Sequence, residues 1–167
     1  SRVIEESLIG GSIPYRIYGG FRFFERAEIK DALAYLRLVY YHNDDSAFER
    51  IINTPTRGIG DQTLIAIREI AKERACSLWE AVLAIIAEKT LSNRSISALA
   101  LFIQLIEDMY QNIRNLPYLA EQVEQVINLS GLMKLYREEK GEKGQAKVEN
   151  LEELVNAASQ FVPENTQ

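Results

Sequence analysis

Apolar residues recur at helical spacing through almost the whole of this chain, and that pattern most constrains its fold. From Arg26 onward, Ile29, Leu33, Leu36 and Tyr40 fall on one face, with Lys30, Asp31 and Arg37 elsewhere. Leu64, Ile67, Ile70 and Ala71 make a second stripe; Ile96, Leu99, Ile103, Ile106, Tyr110 and Ile113 make a longer one. Leu119, Val123, Val126 and Ile127 follow Pro117, and Val148, Leu151, Val155, Ala158 and Phe161 form the last. The breaks between stripes carry helix-boundary chemistry. "HNDD" ends the first helix and offers Asp44 or Asp45 as cap of the next, Ser46 to Ile52. Ser77 is placed to cap "LWEAVLAIIAE", with Glu80 completing a capping box. "LSNRS" separates two helices, Gly131 breaks the pattern again, and "REEKGEKGQAK" reads as a charged, glycine-containing loop. The spacing predicts seven or so helices and a mainly α fold.

The N-terminus departs from this pattern. "SRVIEESLIGG" reads as a helix end stopped by Gly10 and Gly11. "IPYRIYGG" alternates Ile13, Tyr15 and Ile17 against Pro14, Arg16 and Tyr18, a short strand in which Pro14 suggests an edge. A lone strand has no sheet to join. Residues 1–20 are therefore expected to belong to another domain, and the chain to come from a larger protein. "PENTQ", residues 163–167, reads as a frayed tail.

Composition narrows the function. A hydrophobic share of 47% with 26% charged residues suits a globular protein. No apolar run reaches membrane-spanning length, so no membrane partner is expected, and nothing resembles a signal peptide. The one cysteine, Cys76, allows no internal disulfide and fits a reducing compartment. One cysteine and one histidine, His42, fall short of a zinc set. A nucleophilic triad would have to use His42, which sits at a helix end in "YYHNDD". No G-x-x-x-x-G-K-[ST] phosphate loop is present; "GEKGQAK" has the wrong spacing. A net charge of −5 argues against a generic nucleic-acid-coating protein. Charge is uneven, however: residues 16–37, 50–74 and 134–147 each hold five basic against three acidic residues. Any phosphate contact would be local.

The densest signal is "NTPTRGIGDQT", Asn53 to Thr63. Helix, short hairpin with Gly-Ile-Gly, helix is the layout of a helix-hairpin-helix. Gly58 and Gly60 permit positive φ and close approach of another backbone. Ile59 between them can tuck into the core. The amides of Gly58, Gly60 and Asp61 would open the next helix, where unpaired donors and the positive dipole end suit a phosphate. Arg57 and Thr63 could add side-chain contacts that position a duplex without reading its sequence. The bland alternative is a glycine C-cap followed by an Asp61 N-cap, a purely structural joint.

Four stretches, "IPYRIYGGFRFFERAEIKDALAYLRL", "DDSAFERIINTPTRGIGDQTL", "SLWEA" and "SGLMKLYREEKGEKGQAKVENLEELVNAASQF", resemble the UvrD/PcrA/Rep group of superfamily 1 DNA helicases, closest to its UvrD branch. Their order is as in that family; Asn93 to Gln125 matches loosely. The resemblance implies a remnant of motor domain 2A at residues 1–20, and a helical 2B subdomain at 21–162 that contacts duplex DNA ahead of the fork. It places Thr56, Arg57, Gly58, Ile59, Gly60, Asp61, Gln62 and Thr63 in the DNA-binding hairpin, with Lys30 as a further phosphate candidate. Gln62 supplies a neutral donor where a basic residue would hold phosphate more strongly, and Asp61 adds a repelling charge. The implied partners are duplex DNA without sequence preference, the helicase domains 1A, 1B and 2A, and DNA repair proteins. The parent would be an ATP-dependent 3′-to-5′ helicase using ATP and Mg outside this chain, bacterial, cytoplasmic and nucleoid-associated. This chain would carry no cofactor, catalytic residue or metal.

Three stretches keep two readings. Phe23 and Phe24 of "FFER" could stack on exposed bases or form a domain-junction core with a supporting ion pair; the junction is favoured. "EKGEKGQAK" could be a solvated loop, or a hinge or phosphate-touching loop. The whole unit could instead be a protein-interaction module in which Gly-Ile-Gly is structural.

Overall fold

A computed structural model describes residues 21–161. Among the described residues the structure is helical, with no strand. The helices are α1 (Phe21–Glu25), α2 (Ala27–Tyr40), α3 (Asp45–Ile51), α4 (Asp61–Arg74), α5 (Leu78–Glu88), α6 (Asn93–Ile113), α7 (Leu119–Leu129), α8 (Leu132–Glu138) and α9 (Glu142–Ser159). None of them is long and apolar enough to cross a membrane. The expected strand, the 2A remnant at 1–20 and the tail at 163–167 lie outside the described residues.

Helix α2 is the centre of the fold. One buried face was expected; the structure buries nearly the whole circumference. Ile29, Ala34, Tyr35 and Leu38 are each 0% exposed, and Ala32, Leu33, Leu36 and Val39 at most 4%. A helix with apolar residues spread around most of its circumference needs neighbours on most sides. Here α1, α3, α6, α7 and α9 surround it. Removing one such side chain, as in Leu36→Ala, would cost roughly 2–5 kcal/mol, because a tightly packed site cannot collapse around the void.

The boundaries follow local capping chemistry. The Asp44 carboxylate accepts from the Ala47 amide at 3.0 Å and starts α3. Ser77 accepts from the Glu80 amide at 3.1 Å and starts α5, while its hydroxyl donates to Asn43 at 2.7 Å. Asp45 is not the cap; its carboxylate takes the Leu78 amide at 2.9 Å and ties α3 to α5. Beside this joint the His42 ring stacks on Trp79, with centroids 4.2 Å apart.

One expectation is corrected. The charged stretch "REEKGEKGQAK" is not a loop: α8 runs to Glu138 and α9 begins at Glu142. Gly144 lies buried inside α9 because the backbone of α8 passes directly over it. Of the two readings of Phe23 and Phe24, stacking on exposed bases is disfavoured: the rings are 2% and 6% exposed and packed edge to face. Next to them Arg26 donates to Asn150 at 2.7 Å and Asn150 to Glu28 at 2.8 Å, which joins the start of α2 to α9.

Candidate nucleic-acid interface

The link between α3 and α4 folds as a compact hairpin held from below. The Asn53 carboxamide accepts from the Arg57 amide at 2.9 Å and closes its first turn. Gly58 follows at φ +76°, a left-handed conformation that disfavours any side chain. Ile59 is 2% exposed and anchors the tip in the core. Gly58 and Gly60 themselves are exposed.

The second glycine does not take the positive φ that its sequence suggests. Gly60 is the N-cap of α4, at φ −90° and ψ −178°, an extended conformation open to any residue. A Cβ built on it would meet nothing within 4 Å. Nor is Asp61 the N-cap; it occupies the first turn, exposed. No side chain caps this helix. Its first backbone bond runs from the Leu64 amide to the Gly60 carbonyl at 3.1 Å, so the amides of Asp61, Gln62 and Thr63 precede the ladder. The Thr63 hydroxyl lies 3.5 Å from that of Ser95, which sets the first turns of α4 and α6 side by side. Ser95 in turn receives a bond from Ser92, the N-cap of α6, at 3.1 Å.

Arg57 turns away from the open face. One guanidinium nitrogen donates to the Ile51 and Ile52 carbonyls, both at 2.7 Å, and the other to the Tyr35 hydroxyl at 2.7 Å. The same group stands over the Phe102 ring at 5.2 Å and the Tyr35 ring at 6.0 Å. It thus occupies the carbonyl end of α3, where a cation is favoured. The Tyr35 hydroxyl also donates to the Thr54 carbonyl. Burial pushes its pKa above the ordinary value of 10.0, with Arg57 pulling the other way, so it stays a neutral phenol.

The structure therefore brings Thr56, Gly58, Gly60, Asp61 and Gln62 together on one exposed loop and helix start, with Thr63 half-buried behind them. Lys30 is not part of that loop; it is exposed in the first turns of α2. The local basic excess of residues 50–74 is largely paired internally. Arg50 binds Asp31 at 2.7 Å, Arg68 binds Glu49 at 2.5 Å and Arg74 binds Glu88 at 2.6 Å. Sequence reasoning missed Tyr35, Asn53 and Ser95 as the residues that shape the hairpin. Tyr35 left one signal: a phenol flanked by Ala34 and Leu36 on a buried helix needs a polar partner.

Comparison with known proteins adds an independent line. The family model described as UvrD-like helicase C-terminal domain matches residues 1–167. DNA helicase II of Escherichia coli (strain K12) is 55% identical over 161 residues, covering 96% of this chain and 22% of that protein. DNA helicase II of Haemophilus influenzae is 54% identical over 168 residues, covering 100% of this chain and 23% of that protein. The ATP-dependent DNA helicase Rep of Escherichia coli is 43% identical over 120 residues, 72% of this chain and 18% of Rep. The chain spans about a fifth of the length of these relatives.

Proposed function

Because this chain belongs to the UvrD-like helicase C-terminal domain family, we propose that it is the 2B subdomain of an ATP-dependent 3′-to-5′ DNA helicase of DNA repair. In that role its Gly-Ile-Gly hairpin touches the duplex backbone ahead of the fork. The observation that carries this reading is Gly60. Its conformation and surroundings allow a side chain, and a serine or aspartate there would cap α4 better by a few tenths of a kcal/mol. A glycine at that exposed place leaves room for another molecule's backbone against three free amides. The names of the relatives, DNA helicase II and ATP-dependent DNA helicase Rep, support the same assignment.

The grip is light and does not read sequence. Gln62 and Thr63 offer neutral donors, Asp61 repels phosphate, and Lys30 on α2 would add one cation at a distance from the loop. ATP and Mg would be held outside this chain, whose sequence has no phosphate loop. Domains 1A, 1B and 2A and repair proteins would be its protein partners, in the bacterial cytoplasm beside the nucleoid.

The test is Gly60→Val in the intact helicase. We expect weaker duplex binding at low salt and unchanged ATP hydrolysis on single-stranded DNA. Duplex affinity equal to wild type in a folded variant would make the hairpin a structural joint only.

A further inference from the structure

We infer that Arg57 is a positioning residue: its guanidinium pins the floor of the hairpin and touches no phosphate. This rests on the hairpin being the duplex grip. Arginine next to Gly-Ile-Gly invites the opposite assignment, a cation aimed at the DNA backbone. The geometry rejects it. Three short hydrogen bonds, to the Ile51 and Ile52 carbonyls and the Tyr35 hydroxyl, use both terminal nitrogens. Phe102 and Tyr35 supply aromatic faces to the same group. One side chain thereby joins α2, the end of α3 and α6 beneath the loop.

Its place in the chain explains the effect. Arg57 and Ile59 both send their side chains inward, and Gly58 stands between them. With both flanking residues held, Gly58 keeps its left-handed turn and Gly60 and the α4 amides face outward. Tyr35 is 0% exposed and receives the Arg57 fork, so it belongs to the same clamp without any access to DNA. Lysine cannot replace this arrangement. An ammonium lacks the planar fork that reaches two carbonyls and a hydroxyl at once, although it still holds a phosphate as a point charge.

The experiment compares Arg57→Ala, Arg57→Lys, Tyr35→Phe and Gly60→Val in the intact helicase. Duplex affinity is measured over a salt series, and backbone hydrogen exchange is followed in the peptide covering residues 53–60. We expect Arg57→Ala and Arg57→Lys to lose about five- to tenfold in affinity, the scale of one net hydrogen bond. The slope of log affinity against log salt should stay at the wild-type value, and exchange at 53–60 should rise. Tyr35→Phe should move both readouts in the same direction, and it stands in should Arg57→Ala fail to fold. A slope reduced by about 0.9, one phosphate's share, with affinity restored by lysine, would overturn the inference. So would unchanged exchange at 53–60 in Arg57→Ala, whatever happens to DNA binding. Wild-type duplex affinity in Gly60→Val would instead overturn the hairpin's role as the grip, and with it the use assigned to the clamp.

Discussion

A Cβ on Gly144 would stand 2.8 Å from the Tyr136 carbonyl, closer than side-chain atoms sit to oxygen. The last turn of α8 and the first turns of α9 thus meet backbone to backbone, and Lys147 reaches across to Glu139 at 3.2 Å. Gly144→Ala should therefore cost about 1–3 kcal/mol through overpacking, even though alanine is the better helix former. Urea unfolding of the 167-residue chain measures it. A neutral or stabilising result would mean that α8 and α9 can part freely.

That contact also shows where sequence reading stops. Stripes such as Ile96 to Ile113 were legible because a helix repeats its own geometry. The caps at Asp44 and Ser77 were legible for the same reason: donor and acceptor lie three residues apart. Gly144 was not, because the atoms that forbid its side chain belong to another helix. The full burial of α2 was hidden likewise, since five neighbours create it. At the hairpin, the position of Ile59 was legible and the direction of Arg57 was not. Its partners, Tyr35 and Phe102, lie 22 and 45 residues away, and carbonyl acceptors leave no mark in a sequence.

Ser77 has two tasks, accepting from the Glu80 amide and donating to Asn43. Ser77→Ala should remove both and lower stability by about 1 kcal/mol. Ser77→Asp should retain most of the cap. Thermal unfolding of the pair separates the cases, and equal losses would show that the Asn43 link matters more than the cap.

Burial against Trp79 lowers the His42 pKa below its ordinary value of 6.5, with Glu107 opposing the shift. The unfolded chain then takes up a proton more readily than the folded one. Stability should be greatest above pH 6.5 and decline as pH falls below it towards the folded pKa. His42→Gln should flatten that decline between about pH 7 and 5, read as the pH dependence of the unfolding midpoint. A decline of equal steepness in the variant would assign it to the carboxylates instead.

Gly58 and Gly60 should answer differently to the same substitution, though they stand two residues apart. Gly58 holds φ +76°, so Gly58→Ala forces a side chain into the left-handed region and should cost about 1 kcal/mol. Gly60 is extended with open space around it; the poorer N-cap that alanine makes is offset by its lower unfolded-chain entropy, so Gly60→Ala should change stability by only a few tenths of a kcal/mol. Chemical unfolding of the two variants, set beside wild type, gives both numbers from one measurement. Duplex affinity should be the measure that responds at Gly60, where a side chain costs the fold little and stands against the incoming backbone. A stability loss at Gly60 as large as that at Gly58 would mean that the fold itself demands the second glycine. The strongest support for a duplex grip at this hairpin would then be gone.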